Sequence, residues 1–168
     1  MILVFMKHLL SHKILLIQYL VPVFYAVLFY FLKVEPLDGS YWRVIFLLLG
    51  FYLGFALLKF DGQFLYPLYN PTRPEPKQLI TRSILFMIAY LALSIFIITS
   101  SGNMFGVGII LGIGLQLALE LIETRQHYDL FHSNFLFQIK RKFSPLETSW
   151  VVWGFTGWVI FMSVYFLR

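Results

Sequence analysis

Apolar residues fall into five long runs, separated by shorter stretches that hold most of the charged residues. The runs are Ile14–Leu32, Trp42–Phe60, Ile84–Thr99, Phe105–Ile122 and Leu146–Leu167. A transmembrane helix needs about 20 mostly apolar residues, and about 17 to 25 is workable. Each run is close to that length. The pattern therefore predicts an all-α integral membrane protein in which residues 1–168 form a single bundle of about five transmembrane helices.

The composition fits a protein that lies largely in a membrane. Hydrophobic residues make up 60% of the 168 positions and charged residues only 12%, which is too little charge to cover a water-soluble surface. There is no cysteine, which excludes disulfides, thiolate nucleophiles, iron–sulfur clusters and cysteine-ligated zinc. The net charge of +5 comes from basic residues near the ends of the runs, so we expect the lipid bilayer, and no nucleic acid, as a partner.

The basic residues are divided unequally between the two ends of the runs. The N-terminal tail and the segments 61–83 and 123–144, with their borders, hold ten of the 13 lysines and arginines, leaving three elsewhere. The positive-inside rule predicts that these segments are cytoplasmic, with the N-terminus inside and the C-terminus outside. The expected location is the plasma membrane.

The fourth run carries polar residues at helical spacing. Gln116, Glu120, Glu123 and His127 are four, three and four residues apart, which on one helix places them in a single stripe. An ionisable side chain at membrane depth generally faces the interior of a bundle and marks a candidate functional site. The stripe fits three interpretations: helix packing through interhelical hydrogen bonds, a path for protons or cations, and a metal or catalytic site.

Histidines give the metal interpretation its support. His8 and His12 are four residues apart and are expected at the same membrane level as Glu120, Glu123 and His127. Imidazole and carboxylate ligands suit zinc, iron or manganese. However, the sequence contains no metalloprotein signature such as His-Glu-x-x-His. No cofactor is therefore predicted, and a divalent metal at these five residues stays an alternative.

Glycines recur at spacings that let transmembrane helices approach closely. They are Gly50 and Gly54 in the second run, Gly108 and Gly112 in the fourth, and Gly154 and Gly157 in the fifth. All six are predicted to pack helices together, either within the chain or between chains.

Two segments between the runs carry further polar residues. Asp61 directly follows the second run and is a second candidate functional residue, but a solvated helix end is the favoured interpretation. Residues 128–142 are expected to form a short interfacial helix. Its basic cluster, Lys140, Arg141 and Lys142, is expected to face anionic lipid headgroups.

Two local patterns predict contacts in the fifth run. Ser144-Pro145-Leu146-Glu147 combines an N-cap serine, a proline at the first helical position and a glutamate three residues after the serine. These are the elements of a capping box. The indole N–H of Trp158 lies in the middle of the run and should find a hydrogen-bond partner unless the side chain faces lipid.

The sequence favours a non-enzymatic function. It contains no nucleophile elbow, phosphate-binding glycine loop or dinucleotide fingerprint. We therefore expect a helix-packing subunit or scaffold of a membrane assembly, formed with further copies of the chain or with other membrane subunits. One alternative is a small proton- or cation-coupled transporter or channel that uses Glu120. A second is a metal-dependent membrane enzyme that uses the histidines and glutamates above.

Overall fold

The computed structural model describes the backbone of residues 2–33, 41–69, 79–100 and 102–168. Side chains are described for residues 16–33, 41–68, 79–100 and 102–168. The described chain forms helices and no strand. The α-helices are α1 (Ile2–Lys33), α2 (Tyr41–Phe60), α3 (Tyr66–Tyr69), α4 (Ile84–Ser100), α5 (Met104–Thr124), α6 (Tyr128–Phe135) and α7 (Pro145–Leu167). A π-helical turn, Asp61–Leu65, joins α2 to α3, and a 3₁₀ turn, Ile80–Arg82, precedes α4.

All five apolar runs lie inside helices of the structure. In the described residues four helical segments are long and apolar enough to cross a membrane: Leu16–Lys33, Tyr41–Leu68, Met104–Thr124 and Pro145–Leu167. The fifth apolar helix, α4, has 17 residues and is shorter than these four. The prediction of an all-α membrane bundle is therefore confirmed.

Side chains cap the starts of α5 and α7. The predicted capping box is present, because Ser144 accepts a hydrogen bond from the Glu147 backbone and Glu147 accepts one from the Ser144 backbone. At α5, the side chain of Asn103 accepts from the backbone N–H of Phe105 at 3.1 Å. Both caps satisfy backbone donors that a helix start leaves without partners.

The long helices alternate in direction along the chain. Gly50 on α2 faces Gly108 on α5, and Gly54 faces Gly112, so these two helices run parallel. In α4, Tyr90 contacts α5 near Gly114.

Contacts near the start of α5 fix the direction of α4. Ile97 lies against Gly106, so a later position in α4 meets an earlier position in α5, and the two helices are antiparallel. The first and last helices run parallel, since Tyr25 bonds to the Ser163 carbonyl and Phe29 stacks on Phe166.

One end of the bundle is more basic than the other. Helices α2 and α5 end there, and α4 and α7 begin there. We call it the basic end because the described basic residues there are Lys59, Arg82, Arg125, Lys140, Arg141 and Lys142. The opposite end carries Lys33, Arg43 and Arg168.

Helix α5 forms the centre of the bundle. It contacts α1, α2, α4, α6 and α7, and Val107, Leu117 and Leu121 on it are fully buried. The outward faces of the other helices carry large apolar side chains, including Phe24, Leu49, Leu85, Phe96, Ile160 and Phe161. An apolar exterior around a packed interior is the arrangement expected where lipid surrounds the bundle.

A buried polar cluster at the basic end as the candidate functional site

An ion pair between Arg82 and Glu120 lies at the basic end of the bundle. The Arg82 Nε donates to Glu120 Oε2 at 2.5 Å, and its Nη2 donates to Oε1 at 2.9 Å. The two side chains are only 15% and 18% exposed. This two-point geometry is the strongest form of an arginine–carboxylate contact. It joins the 3₁₀ turn before α4 to the central helix α5.

The backbone around Arg82 fixes the position of its side chain. The Arg82 N–H donates to the Leu79 carbonyl and the Ser83 N–H to the Ile80 carbonyl, both at 3.1 Å. The buried hydroxyl of Ser83 then accepts from the Phe86 N–H at 3.1 Å, at the start of α4. The turn is therefore held at both ends, and Arg82 projects toward α5.

The neighbouring residue Thr81 ties the same turn to the end of α2. Its backbone N–H and its hydroxyl both donate to Asp61 Oδ2, at 3.0 Å and 2.5 Å. Asp61 opens the π-helical turn and is only 1% exposed. The expectation of a solvated helix end at Asp61 is therefore wrong. Its carboxylate is buried and hydrogen-bonded, as burial of a charged group requires.

Gln116 completes the set of contacts to Glu120. Its Nε2 donates to Glu120 Oε1 at 2.7 Å, and the residue is buried one turn deeper in α5. We call Asp61, Thr81, Arg82, Gln116 and Glu120 the polar cluster. Among the described residues, Gln116 Oε1 and Arg82 Nη1 are buried without a hydrogen-bond partner. The cluster thus keeps one unused acceptor and one unused donor group beside the ion pair.

The arrangement of the polar cluster favours structural bonding over chemistry at Glu120. Both carboxylate oxygens accept hydrogen bonds from fixed donors. A carboxylate that shuttles a proton or a cation has to release such partners during each cycle. In contrast, a bidentate pair with an extra amide donor fixes two chain segments against each other.

The four residues of the predicted stripe do not lie together in the structure. Gln116 and Glu120 are in direct contact inside the bundle. Glu123 is exposed. Helix α5 ends at Thr124, so His127 lies beyond the helix, at the residue before α6, and it is exposed as well. The helical spacing therefore extends only as far as Glu123.

The described part of the chain contains no assembled set of ligands that would support the metal interpretation. No group of three histidine, aspartate or glutamate side chains with metal-binding geometry occurs there. The side chains of His8 and His12 lie outside the described residues. The five-residue metal site therefore stays a prediction.

Four of the six predicted packing glycines lie in the contact between α2 and α5. A Cβ atom built on Gly50 would lie 2.9 Å from the Cα of Gly108, and one on Gly54 would lie 2.5 Å from the Ile109 carbonyl oxygen. A Cβ on Gly112 would meet the backbone of Phe51 in the same way. The two backbones are in contact, and no side chain larger than hydrogen fits between them.

The other two packing glycines lie elsewhere. A Cβ on Gly154 or Gly157 would meet no described atom within 4 Å, and both residues are exposed on the outer face of α7. On the same helix, Trp158 faces inward and its indole N–H donates to the Ser94 hydroxyl on α4 at 3.0 Å. The predicted partner for Trp158 is therefore present.

The segment between α5 and α7 lies against the bundle. Phe131, Phe135 and Leu136 are each 1% exposed. Helix α6 ends at Phe135, so the prediction of one helix over residues 128–142 is wrong. The apolar side of this segment packs on the other helices, where the sequence suggested contact with the membrane interface. The basic cluster that follows is exposed. Arg141 pairs with Glu147, and Lys142 lies 3.3 Å from Asp129. Lys140 has no acidic partner in the described residues.

Sequence reasoning missed several residues that the structure brings together. Arg82 reads in the sequence only as one more positive charge near a membrane end, and Thr81 carries no motif. Gly114 belongs to no spacing pattern, yet the Tyr90 hydroxyl lies against it and donates to the Ile110 carbonyl at 3.1 Å. One sequence signal could have indicated the ion pair: Arg82 lies at the start of one apolar run, and the next run contains a glutamate that needs a basic partner.

Comparison with protein-family models, with curated proteins and with solved structures finds no match to this chain.

Proposed function

We propose that this chain is a non-enzymatic integral membrane protein that acts as a helix-packing subunit or scaffold of a membrane assembly. Its proposed partners are further copies of the chain or other membrane subunits. We also propose the plasma membrane as its location, with the basic end on the cytoplasmic side. The positive-inside rule supports this orientation, because the described basic residues concentrate at that end.

The observation that carries the proposal is that the conspicuous residues of the bundle bind chain segments to one another. Glu120, the largely buried glutamate of the central helix, is bound at both oxygens by Arg82 and Gln116. The glycines of α2 and α5 bring two backbones into contact. Both features hold helices against one another, which a scaffold needs and which a carrier that changes shape must break.

One observation favours a second candidate, a small proton- or cation-coupled transporter or channel. Gln116 Oε1 and Arg82 Nη1 are buried beside Glu120 without partners in the described residues. Buried polar atoms of this kind are costly unless water or a guest satisfies them. A path from the basic end to Glu120 would let water or a cation reach these two atoms.

The test of the scaffold proposal is the composition of the particle in which the full chain resides. The chain is extracted in polymer-bounded discs that keep the native lipid, and the particle mass is measured by light scattering. The expected result is a homo-oligomer, or a complex with another membrane protein at fixed stoichiometry. A monomer with no stoichiometric partner would contradict the proposal. Elemental analysis of the same fraction tests the metal alternative, which requires bound metal near one equivalent per chain.

The transporter candidate has its own test in sealed proteoliposomes. Proton and monovalent-cation flux are compared between the wild type, Glu120→Gln and Glu123→Gln. Loss of the fold in Glu120→Gln is controlled by the double variant Arg82→Gln/Glu120→Gln, which leaves no unpaired buried charge. Flux in the wild type that is kept in Glu123→Gln, and lost both in Glu120→Gln and in this double variant, would establish the transporter. Equal background flux in all four proteins would exclude that role for Glu120 and leave the scaffold proposal in place.

A further inference from the structure

Arg125 is the one basic residue at the basic end whose charged group lies over an aromatic ring in the described residues. Its Cζ lies 5.3 Å from the ring centre of Trp153. Arg125 directly follows the last residue of α5, and Trp153 lies in the third turn of α7. The indole is 54% exposed and faces away from the bundle. The stack therefore holds a guanidinium at the outer surface, where lipid meets the protein.

The guanidinium of Arg125 has no acidic partner in the described residues. The other two arginines that the structure describes at this end differ, because Arg82 pairs with Glu120 and Arg141 with Glu147. Arg125 is partly exposed, and a guanidinium carries five N–H donors in a planar fork, so donors that do not face the ring can reach a ligand. Such a fork fits two oxygens of one phosphate.

The level of the stack corresponds to a membrane interface. Trp150, one turn nearer the start of α7, is 72% exposed, and indoles prefer the headgroup region. From Trp150 to Leu167 the helix rises about 26 Å, at about 1.5 Å per residue. This length is close to the hydrocarbon thickness of about 30 Å. The two tryptophans therefore mark one edge of the hydrocarbon.

We propose that Arg125 and Trp153 form a binding site for the phosphate of an anionic phospholipid in the leaflet at the basic end. The guanidinium edge binds the phosphate oxygens, and the indole fixes the guanidinium while it contacts the upper part of the acyl chain. Lys140, exposed and without an acidic partner in the described residues, adds attraction for a headgroup with net negative charge. The inference rests on the proposed membrane orientation and does not depend on assembly with other subunits.

The experiment compares bound lipid by native mass spectrometry of the full chain, released from detergent with either phosphatidylglycerol or phosphatidylcholine. The variants are Arg125→Gln, Arg125→Lys and Trp153→Leu. Arg43→Gln is the matched control, because it removes one exposed positive charge from the opposite end. Lipid is counted on the peak of each oligomeric state, so the result is independent of the scaffold test.

The expected result is that the wild type prefers phosphatidylglycerol and that this preference falls about five- to tenfold in Arg125→Gln and Trp153→Leu. That change corresponds to about 1–1.4 kcal/mol, the size of one ordinary hydrogen bond. Arg125→Lys should retain part of the preference, since it keeps the charge without the planar fork. Arg43→Gln should bind like the wild type. Equal binding of the two lipids by the wild type would overturn the proposal. So would a preference that is unchanged in Arg125→Gln, because the attraction would then come from the general basic charge.

Discussion

Arg82 and Glu120 are 38 residues apart in the chain, yet two hydrogen bonds join their side chains inside the bundle. Arg82 belongs to the turn before α4, and Glu120 to the central helix. Each charge lies in a largely buried position and is neutralised by the other. Such a pair adds little to stability when compared with an apolar pair of the same volume, but the loss of one partner leaves an uncompensated buried charge.

The substitution Glu120→Gln should therefore destabilise the protein strongly. The expected loss is about 3–5 kcal/mol in the free energy of unfolding, because the Arg82 guanidinium stays buried without its counter-charge. The double variant Arg82→Gln/Glu120→Gln should recover most of that loss. Unfolding by denaturant in a mild detergent measures both values. Glu123→Gln is the matched control, since Glu123 is an exposed glutamate on the same helix, and it should change stability by less than about 0.5 kcal/mol.

The double variant tests whether the two residues are coupled in the folded protein. A structural pair predicts that the two substitutions together are milder than Glu120→Gln alone. If the double variant is as unstable as the sum of the two single variants, then the pair does not carry the coupling that the geometry implies.

Alanine at the glycines of α2 and α5 should disrupt the central helix contact. A methyl group on Gly50 or Gly108 would overlap the backbone of the facing helix, and overpacking of this kind costs about 1–3 kcal/mol or more. Gly154→Ala and Gly157→Ala are matched controls, because their methyl groups would meet no described atom within 4 Å. The fraction of each variant that still elutes as a monodisperse peak after heating measures this difference in stability. An equal effect at all four positions would show that the helices do not pack as described.

The glycines also illustrate how far the sequence predicts this structure. The spacing of Gly50 with Gly54 and of Gly108 with Gly112 predicts small-residue faces, and both faces lie in the contact between α2 and α5. A similar pair, Gly154 and Gly157, faces outward. Spacing identifies a face of a helix, but the neighbouring helices determine which way the face points. The apolar runs were predictable as helices because a bilayer crossing sets their length, and four of the described helices reach that length.

The polar cluster was less predictable, since its bonds cross long distances in sequence. Asp61 reads as a solvated helix end until Thr81, 20 residues later, is placed against it. The expected stripe fails for His127 for a local reason, because α5 ends at Thr124 and the chain turns before His127. Spacing arguments hold only while the helix continues.

The hydrogen bond between Trp158 and Ser94 should couple α7 to α4. Ser94→Ala removes the hydroxyl that accepts from the indole N–H at 3.0 Å and should cost about 0.6 kcal/mol, the usual size of such bonds between membrane helices. Trp158→Phe in the Ser94→Ala background should cost less than Trp158→Phe alone. A double-mutant cycle of unfolding free energies measures this coupling. Additive effects within about 0.3 kcal/mol would contradict it.

Gly114 provides a test of packing that does not involve the predicted glycine pairs. The Tyr90 hydroxyl occupies the space that a Cβ on Gly114 would need, and the next ring atom would lie only 2.8 Å from that Cβ. Gly114→Ala should therefore displace Tyr90, break its bond to the Ile110 carbonyl and cost about 1–3 kcal/mol. In a Tyr90→Phe background the hydroxyl is already gone, so the same alanine has only the ring to move and should cost measurably less. Equal costs of Gly114→Ala in the two backgrounds would mean that Tyr90 does not lie against α5 at this position, and the antiparallel register of α4 and α5 would have to be revised.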